Sequence, residues 1–241
     1  KAVSDREDSL RKSVAELEAA IATRATWTLD SPDDDWRHQV LSDLVAGLGV
    51  LDGALGKVRE RHEFATTLHA KSIEAHRLEW EAVVKWIAAS PKYGGLRITP
   101  QLGLVPLGPD PDSGLYEFAH LGSGEPPSRD PTTKRLVYSE DAAIVLVLIP
   151  GGTFLMGAQK ADPKGPNFDP RAESTEGPVH EVTLSAFFVG KHECTQAQWE
   201  QLTEGEKPSN YWQGMESGGK KVTRRNPVEQ VAWEDCERRL P

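Results

Sequence analysis

Cysteine is scarce. Two in 241 residues, Cys194 and Cys236, cannot form a disulfide framework, so the fold must rest on a packed core, and the compartment stays open on this ground. Basic charge is short as well. Against 37 Asp and Glu stand 28 Lys and Arg, a net charge of −9. No basic field is left to release counterions from a nucleic-acid backbone or to hold an anionic membrane surface, so nucleic acid is not an expected partner. Long apolar runs are missing too. The longest strongly apolar stretch runs from Ala142 to Ile149, far short of the ~20 residues a bilayer-crossing helix needs, so no membrane segment is expected. The start, Lys1-Ala2-Val3-Ser4, has neither an initiator Met nor an apolar signal core, and it reads as a cut inside a longer protein.

What is present is an ordinary globular composition, 38% hydrophobic and 27% charged, with length for one or two domains. Leu10, Val14, Leu17 and Ile21 alternate four and three apart, the spacing of a helical seam, and weak self-association through this first helix is an expectation. The run Asp33-Asp34-Asp35 offers N-terminal carboxylates to a second helix with Trp36, Val40, Leu41, Leu44, Val45, Leu48 and Leu51 on a broad apolar face. Gly47, Gly49, Gly53 and Gly56 predict a break or a close helix crossing in its second half. No strand precedes these glycines and no Lys-Ser/Thr pair follows, so they are not a phosphate loop. A third helix is expected over about 64–89, ended by Ser90-Pro91. His62, His69 and His76 recur every seven residues along it. Successive rungs lie ~10.5 Å apart, too far for two imidazoles to share one ion, so they read as solvated or packing residues.

Residues 91–141 turn to Pro, Gly and short apolar pieces, a linker-like region of short strands. Pro106, Pro109 and Pro111 confine these strands to an edge or to hairpins. From Ala143 the apolar run Ile144 to Ile149 predicts a buried strand, followed by the turn Pro150-Gly151-Gly152 and a second extended piece, Thr153 to Gly157. Residues 179–189 predict one half-buried strand with Val182, Leu184, Ala186 and Phe188 inward. Thr195 is the expected cap of a short helix carrying Trp199 and Leu202.

The ordered motifs Leu148-Ile149-Pro150-Gly151-Gly152-Thr153-Phe154 with Met156-Gly157, Glu176-Gly177-Pro178-Val179-His180-Glu181-Val182, Phe187-Phe188 with Glu193-Cys194-Thr195-Gln196 and Trp199, and Asn226-Pro227-Val228 with Val231-Ala232-Trp233-Glu234-Asp235 together resemble the sulfatase-modifying-factor family, also called the formylglycine-generating-enzyme domain. The resemblance implies an α+β chain: a helical connector over 1–90, a linker over 91–141, and over 142–241 a mixed, loop-rich, C-type-lectin-like domain that is incomplete at its C-terminus. Catalytic members of the family use two cysteines near the end of the domain to hold copper(I) and activate oxygen, turning a substrate cysteine into formylglycine. Soft thiolates suit that ion. Neither Cys194 nor Cys236 matches that pair, and the family's calcium positions also lie further on, so no catalytic, cofactor-binding or metal residue is carried over. Arg-Leu-Pro at 239–241 comes earlier than in family members, as if the preceding helix were shortened.

The stretch from Ser90 to His120 resembles a region that precedes such domains in bacterial multidomain proteins behind a serine/threonine kinase module; no His-Arg-Asp, Asp-Phe-Gly or Ala-Pro-Glu occurs here. Two functions are therefore expected. The parent is an oxygen-dependent metal enzyme acting on a protein cysteine, with this chain non-catalytic, or the chain is a binding or sensor module with a protein or peptide partner. Among single residues, His180 reads as structural, Asp162, Asp169, Glu173 and Glu176 as a solvated acidic loop rather than a calcium site, and Trp233 as core with the acids after it capping a helix.

Overall fold

The computed structural model describes residues 2–22 and 31–239, and the chain divides into two compact units, 1–63 and 64–241. The class is α+β.

The first unit is helical. Helix α1 spans Ala2–Ala22, and helix α2, Pro32–His69, begins here and runs past the unit boundary. Ser31 caps α2, its hydroxyl accepting from the Asp34 amide at 3.2 Å. Pro32 stands where a missing N–H costs nothing, and Asp33 to Asp35 fill the first turn against the helix dipole. The expected break at the glycines is absent. Helix continues through Gly47, Gly49, Gly53 and Gly56, and a Cβ at any of the four would meet nothing within 4 Å, so no close crossing occurs there. Glycine's propensity cost is spread along a long, otherwise leucine-rich segment, and cooperative propagation outweighs it. The interruption comes later, as a π-helical turn at Ala70–Glu74.

Pro32–Glu74 is, by length and composition only, long and apolar enough to cross a membrane, although glycines interleave with its leucines and leave no long contiguous apolar run. None of its apolar window is buried in this structure. The aspartates Asp43 and Asp52 also fall among those leucines.

The second unit is built on helix α3, Arg77–Ala89, and a four-stranded antiparallel sheet. The π turn sets up this packing. Ser72 returns its hydroxyl to the Leu68 carbonyl at 2.6 Å, and its own carbonyl accepts from the Trp80 indole at 2.9 Å. Trp80, Val83 and Ile87, three and four apart, form the buried face of α3. Opposite lie β1 (Leu104–Pro109), β2 (Tyr116–His120), β5 (Val145–Ile149) and β8 (Phe187–Gly190), in that spatial order. The short pair β3 (Ser128–Arg129) and β4 (Leu136–Val137) stands apart from this sheet. Trp80 stacks on Phe118 with ring centroids 5.4 Å apart, and Phe188 meets the same ring edge-on.

Strand β1 occupies the edge, as its prolines require, and a bulge between Pro106 and Gly108 bends it. Its partner β2 is interior and pairs on its other side with β5, Phe118 opposite Leu146. The segment with linker-like composition thus supplies half of this sheet. Tyr93 ties the layers together: its hydroxyl donates to the Leu148 carbonyl at 3.0 Å and accepts from the Tyr116 amide at 2.8 Å. Ala143, Val145 and Leu148 are buried, in keeping with the apolar run.

Residues 179–189 do not make one strand. Strand β7, His180–Leu184, pairs with β6, Gly152–Met156, in a separate hairpin, while β8 joins β5 in the main sheet. Alternation carries no information about which partner each half finds, and the chain changes sheets at Ser185-Ala186. Leu184 and Phe187 stay exposed as a result. Helix α4, Gln196–Leu202, starts at Thr195 in a reciprocal capping box with Gln198, and its Trp199 is buried. Helix α5 is Trp233–Arg239. Trp233 is 76% exposed there, against the expectation of core, because α5 packs closely against no other helix or strand among the described residues. The capping expectation fares better: Asp235 reaches back to the Ala232 amide at 3.0 Å.

Candidate functional site

Where β5 and β8 begin and end, three chain segments surround a cleft of about 530 Å³, within the ~300–1,000 Å³ of small-ligand sites. One wall is Tyr138, Ser139 and Glu140; Lys191, His192 and Glu193 follow β8; Arg225 and Pro227 close the third side. The floor is the start of β5, from Ala142 to Val145. Gln198 fixes the floor to α4, donating to the Ala142 carbonyl at 2.9 Å while its oxygen accepts from the Thr195 amide at 3.0 Å.

Behind the cleft lies a buried ion cluster. Glu117, in the middle of β2, has a side chain with no solvent exposure. It accepts from Arg129 at 2.5 Å and from Lys191, and Lys191 also bonds Asp110 at 2.9 Å. Arg129 is further held by the carbonyls of Leu107, Gly108 and Lys134. Burial by itself would raise the Asp110 carboxyl, but the Ser113 amide and Lys191 outweigh it and hold the group well below the usual carboxylate range. Burial would lower Lys191, yet Glu117 and Asp110 win and keep it an ammonium above its ordinary value. It is no base.

Tyr138 stands over this cluster. Its ring meets His192 edge-on at 5.4 Å, its hydroxyl is buried with no partner among the described groups, and burial pushes the phenol up. Tyr138 lines the cleft, while its hydroxyl, with essentially no solvent contact, lies in the field of Lys191, Glu117, Arg129 and Asp110. A smaller cavity of about 200 Å³ lies beyond α4, but its Lys207 and Arg224 are both paired to Glu200.

Copper(I), implied by the resemblance, needs two converging thiolates. Cys194 is half-buried, its sulfur donates weakly to the Thr195 carbonyl at 3.7 Å, and burial pushes the metal-free thiol up to about 11, Cys236 adding to the rise. Calcium needs converging oxygens, and the acidic loop spends its carboxylates separately. Asp162 takes the Lys164 amide, Asp169 the Arg171 amide, and Glu173 with Glu176 forms a capping box around one 3₁₀ turn. Among the described residues no three His, Cys, Asp or Glu side chains gather as a metal group. The exposed His180 bonds the Pro178 carbonyl at 2.8 Å, while His69 and His76 pair with Glu74 and Glu79.

Sequence reasoning singled out none of Tyr138, Lys191, His192 and Arg225. The available signal was the polar triplet Lys191-His192-Glu193 following an apolar strand; the partners it needs lie in segments distant along the chain.

Residues 136–238 match the model of a family described as Sulfatase-modifying factor enzyme 1-like domain. The match covers under half of the chain. It takes in every wall of the cleft and leaves out the helical unit and the β1–β2 hairpin. No curated protein and no solved structure matches the chain.

Proposed function

We infer, from a sulfatase-modifying-factor-like segment over residues 136–238, that this chain recognises a partner and does not itself oxidise cysteine. The observation that carries this reading is the cleft of about 530 Å³, lined by side chains from three separate segments, beside which the half-buried Cys194 has its thiol pushed up by burial. The lysine and tyrosine of the cleft likewise hold their protons. What the site offers is a set of polar groups around an apolar floor: the exposed side chains of His192, Glu193 and Arg225, and the backbone of residues 139–143.

Groups of both charge signs, spaced along an open cleft, suit an extended peptide segment better than a small anion. The partner is therefore a protein or peptide, and the module would report its binding to whatever it is attached to. A kinase-linked sensor in a bacterial multidomain protein is the setting that the resemblance of residues 90–120 implies. The reading that the parent protein is an oxygen-dependent enzyme draws its support from the family match alone.

Panning a displayed peptide library against the full chain tests the proposal. Enriched peptides should lose binding to Arg225→Glu and to His192→Ala while circular dichroism stays unchanged. Peptides that bind both variants as they bind the parent would place recognition elsewhere and refute the cleft.

A further inference from the structure

Independently of the cleft, the helical unit carries a seam that the single chain leaves open. Leu41, Leu44, Leu48, Leu51, Leu55 and Val58 follow one another three and four residues apart, an unbroken a/d heptad pattern on α2. None of α2 is buried, and these six side chains are 46% to 61% exposed. Helix α1 adds a matching seam of four, Leu10 to Ile21, exposed to the same degree. Arg11 of α1 bonds Asp52 of α2 at 2.8 Å, so the two helices meet at that point. That pair marks geometry rather than supplying energy, since both side chains are half in water.

We propose that a second copy of this chain covers the α2 heptad seam, two α1–α2 pairs closing a helical bundle around Leu41 to Val58. Two helices with open seams are half of the four that enclose a bundle core. The area fits. Each half-exposed Leu or Val leaves on the order of 50 Å² of apolar surface to bury. The two seams with the flanking Val40 and Val45 make about 600 Å² per copy, or about 1,200 Å² across two, the lower bound of a stable interface. Gly49, Gly53 and Gly56 fall on the outer heptad positions, away from the seam, and so do not weaken the packing layer.

A lipid surface is the rival occupant, and the charges decide against it. Asp43 and Asp52 sit within the apolar stretch, Gln39 bonds Asp43 and Arg11 bonds Asp52, and a charged cluster from Lys57 to Glu63 follows directly. Carboxylates at hydrocarbon depth are strongly disfavoured, whereas on the outer flanks of a bundle they remain in water.

Sedimentation velocity of the full chain over a concentration series tests this, alongside flotation with phosphatidylcholine vesicles. A dimer is expected, with Leu44→Glu and Leu51→Glu lowering its association at least 100-fold while the near-ultraviolet dichroism of the Trp80 and Phe118 core stays as in the parent. Should Leu44→Glu unfold the helix, Leu51→Asn gives the same reading more gently. A monomer at all concentrations, a dimer indifferent to these variants, or flotation of the parent with the vesicles would each overturn the proposal.

Discussion

Replacing Glu117 by Ala is the sharpest probe of how the second unit holds together. The carboxylate lies at zero exposure in an interior strand, between Arg129, whose side chain is 18% exposed, and Lys191, at 26%. Removing it deletes two charge-assisted hydrogen bonds and leaves two cations partly out of water. Breaking a buried ion pair from one side costs about 3–5 kcal/mol. The lower end applies, because Lys191 keeps Asp110 and Arg129 keeps three backbone carbonyls. A loss of about 3 kcal/mol corresponds to a fall in Tm of roughly 6–12 °C for a unit of this size. Thermal and urea melts of the full chain followed by tryptophan fluorescence read it. Asp112→Ala is the matched control: its pair with Arg135 is well exposed, so it should cost less than about 1 kcal/mol. If Glu117→Ala also costs less than 1 kcal/mol, the cluster does not join β2 to β8, and the argument for a preorganised wall behind the cleft fails with it.

Three further outcomes follow from the same geometry. Changing Gly49 and Gly53 to Ala should raise helicity and stabilise α2 by about 1 kcal/mol each, since both sit in open space within regular helix; a loss of stability would mean that a close neighbour exists there after all. Thr195→Ala, which removes the cap of α4 and frees the Gln198 amide, should cost about 1 kcal/mol in a urea melt, and Thr195→Ser should restore most of it. Asp110 has its folded carboxyl held below its value in the unfolded chain, so the stability it contributes is present above the unfolded value of 3.8 and drains away as pH falls below it. Melts taken from neutral to acidic pH should therefore show a steeper decline for the parent than for Asp110→Asn, and parallel curves would refute the linkage.

Local chemistry was legible in the sequence, and long-range pairing was not. The α3 end at Ser90-Pro91, the Thr195 cap, the β5 run and the confinement of proline-bearing β1 to an edge each depend on neighbours a few residues away. What escaped needed distant partners. Proline- and glycine-rich composition makes residues 104–120 look like a connector, yet Phe118 and Glu117 are fully buried because β5 and α3 cover them. The apparent single strand over 179–189 splits because β6 and β5 each claim half of it. In α2, the glycines suggested a break by propensity, but propensity is a weak prior against a long cooperative helix, and the break was displaced to a turn that Trp80 stabilises from outside. The cleft was illegible for the same reason: Tyr138, Lys191 and Arg225 come from three separate segments, and nothing in their spacing announces that they meet.

The claim that this chain recognises and does not oxidise is tested most directly by incubating it with copper(I), oxygen and a cysteine-containing sulfatase peptide, and following the peptide by mass spectrometry. If the chain only recognises its partner, the peptide gains no formylglycine and Cys194→Ser behaves like the parent. Conversion of the peptide cysteine to formylglycine by the parent, abolished in Cys194→Ser, would contradict it.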